Sequence, residues 1–147
     1  MPLKLVAPIN KEYTLNKTDE YYGVTGDPSK VTIRQATQGD NEKRTNLFAE
    51  VTRVIEGTKI KTSSRWSYEQ LRRLEVYLTL VGCNITDDQD KPIFNFRSLQ
   101  NGNQVLDMSE SHFTEKWNSL PPLVAEEIHE KVLEVNISWD GTAGEVD

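Results

Sequence analysis

The chain has 147 residues and a formal net charge of −6, a length that suits one domain burying its own core without disulfide or metal staples. Apolar residues make up 36% and charged residues 27%, which is too apolar for a disordered chain, and the acidic balance argues against a basic face for nucleic-acid phosphates. The single cysteine, Cys83, has no partner for an intramolecular disulfide and favours a reducing compartment.

The opening MPLKLVAPINKEY has only a short apolar patch around one lysine, too little for a secretory h-region, and no run is long enough to span a bilayer. A soluble, cytosolic protein is expected. "LKLVAPI" reads as a short strand and "NKTDEYYGVTGDPSK" as turn-rich, punctuated by Gly23, Gly26 and Pro28. Residues 1–30 are therefore expected to form a partly extended arm, docked through Tyr21 and Tyr22. In "KVTIRQAT", Val31 and Ile33 alternate with Thr32 and Arg34, the period of a strand.

The period then changes. Leu47, Val51 and Val54 share one helical face with Phe48 and Ile55, and Asp40 and Glu42 suit the positive end of that helix's dipole. Gly57 is a stop, and 58–66 reads as extended. "SYEQLRRLEVYLTLVG" is the clearest helix. Ser67 and Gln70 form a capping box, Leu71, Leu74, Leu78 and Val81 form a stripe, and Gly82 ends it. "PIFNF" followed by Asn101-Gly102 suggests a hairpin arm. Ser109 or Ser111 caps a short helix running through Trp117 and Leu120.

Pro121 breaks that helix, and Pro122 suits the first turn of another. The new helix carries Val124, Ile128, Val132 and Val135 on one face, and Glu126, Glu127, Glu130, Lys131 and Glu134 on the other. Asn136 is read as a left-handed cap, and Trp139 folds back onto the helix end. The expected fold class is α+β, mainly helical, with three to four amphipathic helices and a short strand or hairpin element near the N-terminal half. Residues 31–139 form the globular domain, and 140–147 a flexible acidic tail.

Reactive constellations are sparse. His112 and His129 have no partner at metal-ligand spacing, and His129 reads as a surface histidine. "DDQDKP" at 87–92 lacks the glycine and closing glutamate of a calcium loop. No phosphate-cradling glycine motif or nucleophile elbow occurs. The helix glutamates read as solvated charges, and Arg65, Arg72 and Arg73 as a solvated face. No catalytic residue, cofactor or metal is expected.

From residue 30 to residue 139 the order of phrases resembles the tail assembly chaperones of long-tailed bacteriophages and prophages. The phrases are "VTIRQATQGDNEKR", "RRLEVYLTLVGCNI", "KPIFNF" and "FTEKWNSLPPLVAEEIHEKVLEVNISW". In the last, a tryptophan and Leu-Pro-Pro precede a helix closing on Val-Asn-x-x-Trp. The family usually has proline after that asparagine, where this chain has Ile137. The resemblance implies a non-enzymatic helper in the host bacterial cytoplasm, absent from the mature virion. It would bind the tape measure protein and help recruit tail tube subunits, with self-association possible and with no nucleic acid or membrane partner. The alternative is a structural neck or tail-completion subunit with residues 1–30 as an inserted arm. For either, Trp117, Leu120, Leu123 and Trp139 are the candidate partner-binding residues; for Trp117 and Leu120, closure of the core is the favoured reading.

Overall fold

The computed structural model describes residues 1–4, 9–47 and 67–140. Asn10–Thr14 forms β1, which pairs antiparallel with β2, Lys30–Arg34, in a register that sets Glu12 opposite Thr32. The alternation read in β2 is real, since Val31 and Ile33 are buried and the residues between them are half-buried. β3, Leu80–Cys83, completes a three-stranded sheet in the order β1-β2-β3, with a register shift at Thr32/Ile33. β4, Phe96–Ser98, and β5, Gln104–Leu106, form the expected separate hairpin. Gly102 takes φ 87° in its turn, a conformation that favours glycine.

Helical segments number six among the described residues, more than expected. α1 is Asn16–Tyr22 and α2 spans 38–47. α3 is Tyr68–Thr79, α4 Glu110–Asn118 and α5 Pro122–Val135, and a last turn, α6, spans 137–140. The class is α+β. α5 is the central packing element, lying against α1, β2 and α3, while α4 packs on α3. Its stripe Val124, Ile128 and Val132 meets Leu15, Val31, Ile33, Val76, Leu78 and Leu80 in one core. Phe94, Phe113 and Trp117 stack in series beside it, with centroids 5.2 and 6.0 Å apart.

The capping box forms as expected, with the Ser67 hydroxyl accepting from the Gln70 backbone N–H at 3.0 Å and the Gln70 side chain accepting from the Ser67 N–H at 3.2 Å. Ser109 caps α4. No helix of the described residues is long and apolar enough to cross a membrane.

Four expectations are corrected. From Asn10 onward the supposed arm belongs to the body, because β1 pairs with β2 and Leu15 is fully buried, which contributes about 1.5–3 kcal/mol. Tyr21 and Tyr22 do not dock it; both are exposed and pack edge-to-face on each other at 5.0 Å. Gly82 does not end α3. The helix stops at Thr79 and the chain turns extended at Leu80, joining the free side of β2. A Cβ at 82 would sit 3.0 Å from Thr32 Oγ1 and 3.1 Å from Thr32 Cβ, so glycine allows this close approach without displacing the Thr32 side chain. Asn136 is not left-handed, having φ −114°. Residues 5–8 of the first expected strand, Phe48, Val51, Val54, Ile55, Gly57, the segment 58–66 and the tail from 141 lie outside the described residues.

Candidate functional site

The proline corner follows from local rules. Ser119 closes α4, its hydroxyl donating to the Lys116 carbonyl at 2.6 Å. Pro121 takes φ −59° and ψ 143°, outside the helical region, and Pro122 begins α5. The Pro121 carbonyl accepts from the N–H groups of Val124 and Ala125, both at 3.1 Å. Between the two helices lies a concavity of about 260 Å³, lined by Trp117, Leu120, Pro122 and Ala125 with Glu69, Arg72, Asn118 and Glu126 around them. Trp117 is the outer end of the aromatic stack, is only 6% exposed and lines the concavity. Leu120 is half-buried and packs against the core.

The four candidate binding residues therefore do not share one surface. Trp117 and Leu120 meet in the concavity. Leu123 is half-buried in the first turn of α5 and does not line it. Trp139 lies beyond the far end of α5, whose 14 residues span about 21 Å at 1.5 Å per residue. Its ring is 3% exposed, and its Nε1 donates to Asn41 Oδ1 at 3.2 Å. The Arg44 guanidinium lies over that ring at 5.3 Å and donates to the Trp139 carbonyl at 3.4 Å. Trp139 folds back, as expected, but its partners are on α2.

Sequence reasoning missed a buried charge cluster. Glu75, fully buried on α3, accepts from Arg44 Nε at 2.6 Å, and its other oxygen lies 2.6 Å from His129 Nε2. Arg44 is 4% and His129 2% exposed. His129 is thus a core residue, with Tyr68 edge-on to its ring at 6.3 Å. A carboxylate–imidazole pair is the kind used in acid–base chemistry, but this one is closed to solvent on all three members. In this conformation it ties α2, α3 and α5 together. The available signal was position: Glu75 lies four residues after Leu71 and three before Leu78, inside the apolar stripe.

Two more polar side chains join distant parts of the fold. Glu127 is buried rather than solvated, and its carboxylate accepts from the backbone N–H groups of Lys17 at 3.0 Å and Thr18 at 2.8 Å. It thus caps α1, which has no side-chain cap of its own. Asn136 accepts from Ala36 N–H at 2.8 Å and donates to the carbonyls of Arg34 and Val132.

At the start of α2, burial alone would raise the Asp40 carboxyl. A 2.7 Å bond from Arg34 and the Thr37 backbone N–H outweigh this and hold it below its ordinary value. Burial lifts the Cys83 thiol to about 11, which suits a packing residue rather than a nucleophile. Asp87 is held low by backbone N–H groups of Lys91 and Gln89, so the acidic turn at 87–91 is closed on itself. No group of His, Cys, Asp and Glu among the described residues is arranged to hold a metal ion. Comparison with protein-family models, curated proteins and solved structures finds no match to this chain.

Proposed function

We propose that this protein is a non-enzymatic tail assembly chaperone of a long-tailed bacteriophage, which binds the tape measure protein and helps recruit tail tube subunits in the host cytoplasm. The resemblance of the phrases between residues 30 and 139 supports this reading. The structural observation that carries it is the proline corner, where Trp117, Leu120, Pro122 and Ala125 form an apolar recess rimmed by Glu126 and by Glu69, which is paired with Arg72 at 3.1 Å. Apolar side chains of an amphipathic helix can seat in such a recess, and a basic residue on the flank of that helix can meet Glu126. The resemblance implies a long, aggregation-prone tape measure protein, and an acidic partner with an apolar recess suits such a client. The core position of Trp139 removes it from this surface, leaving Leu120 as the residue to test.

The test is co-expression with the tape measure protein. Leu120→Asp puts a charge in the recess at a half-buried site. The tape measure protein is expected to be soluble with the wild-type chain and to sediment with the variant, while the variant's circular dichroism matches wild type. Equal solubilisation by a folded Leu120→Asp chain would overturn the assignment of the corner.

A further inference from the structure

We infer that β1 is a self-association edge, through which two copies of this chain join their sheets antiparallel about a two-fold axis. The register of β1 on β2 fixes which backbone groups are free. Gln35 N–H donates to the Ile9 carbonyl at 2.7 Å, and Leu15 N–H to the Ser29 carbonyl at 2.8 Å. Odd-numbered residues of this strand therefore point their backbone groups at β2, and Asn10, Glu12 and Thr14 point theirs outward. No described residue bonds to those outward groups. At the other edge of the sheet, β3 lies beside β5.

A two-fold axis at Glu12 pairs Glu12 with Glu12 and Asn10 with Thr14 of the second copy. That register uses every outward N–H and C=O of the strand and keeps α5 on the same sheet face in both copies. It also sets Lys11 of one copy opposite Tyr13 of the other, beside a groove that Lys11 itself lines with Tyr13, Leu133, Ile137 and Asp140; its Glu130 and Glu134 are already paired with Lys17 and Lys131. Among the described residues Lys11 has no carboxylate partner and Asp140 no cationic one, while Ile137 is 76% exposed. Lysine on an edge strand normally discourages pairing; here Lys11, already 5.9 Å from the Tyr13 ring of its own chain, gains the Tyr13 ring and Asp140 of the second copy.

The opposed Glu12 side chains repel, since like charges directly across a strand pair are destabilising. Lys30 lies only 3.6 Å from each and offsets part of this. A five-residue strand covers less area than a permanent dimer needs, so the association depends on concentration.

Sedimentation equilibrium of the full chain over a concentration series tests the inference. The wild-type mass should rise toward two chains. Glu12→Pro removes an outward donor and no native backbone bond, losing besides only the exposed pair with Lys30, and should hold the mass at one chain. Glu12→Thr removes the repulsion and should tighten the dimer several-fold; Lys11→Glu should weaken it. Should Glu12→Pro fail to fold by circular dichroism, the opposite responses of the other two variants decide. A single-chain mass for both wild type and Glu12→Thr would overturn the inference. So would a dimer indifferent to Glu12→Thr and Lys11→Glu. A monomeric chain whose Glu12→Pro variant loses tape measure binding would instead assign the edge to an extended segment of that partner.

Discussion

Glu75 is the residue whose loss the structure makes most costly. It accepts from Arg44 and His129, each at 2.6 Å, and all three side chains are buried. Glu75→Gln removes the buried carboxylate charge that forms an ion pair with Arg44 Nε. Breaking one partner of a buried pair costs about 3–5 kcal/mol, because a buried charge loses the opposite charge that offset its desolvation. The whole fold is expected to have about 5–15 kcal/mol, so the variant should lose a large share of it. The melting temperature should fall by about 10 °C, at 2–4 °C per kcal/mol for a chain of this size. Urea titration followed by fluorescence reads the loss, and near-ultraviolet circular dichroism reads the Trp139 ring beneath Arg44. Replacing all three members, as Arg44→Met, Glu75→Leu and His129→Leu, should recover most of it, since apolar residues avoid the desolvation cost of the ions. A Glu75→Gln variant within about 1 kcal/mol of wild type would refute the reasoning, since that is the worth of a solvent-screened pair.

Three other outcomes follow from particular contacts. Glu127→Ala leaves the Lys17 and Thr18 N–H groups without their acceptor, and should cost about 1–3 kcal/mol; hydrogen exchange should rise first over residues 16–22. Gly82→Ala forces a Cβ against Thr32 and should cost about 1–3 kcal/mol, largely recovered by Thr32→Ala in the same denaturation assay. Asp40 is held below its ordinary value in the folded protein, so its stabilisation is complete above the unfolded carboxylate value of about 3.9 and is lost as pH falls through the lower folded value. The stability gap between wild type and Asp40→Asn should therefore narrow below that pH, and a gap equal at neutral and strongly acid pH would contradict this.

Local rules made much of the helical framework legible. Ser67 and Gln70 sit three residues apart and cap one another; Pro121 and Pro122 constrain their own backbone whatever surrounds them. β1 and α1 were opaque because distant groups hold them. β1 exists against β2, and the α1 cap, Glu127, is 109 residues from Thr18. The charge cluster was opaque for the same reason, with Arg44 and His129 lying 31 and 54 residues from Glu75 on different helices. Asn136 looked like a cap because asparagine tolerates left-handed geometry, yet its amide is used against Ala36 across 100 residues. Of the expected site, the Trp117–Leu120 corner was readable from the double proline. Trp139 was not, because its partners Arg44 and Asn41 precede it by 95 and 98 residues.

The chaperone reading makes a direct statement about where the protein is found during infection. Quantitative mass spectrometry should compare cells infected with the phage that encodes this chain and virions purified from them. The account predicts abundance in the infected cells and near absence from the particles. A fixed copy number per virion would contradict it and make the chain a structural subunit of the neck or tail.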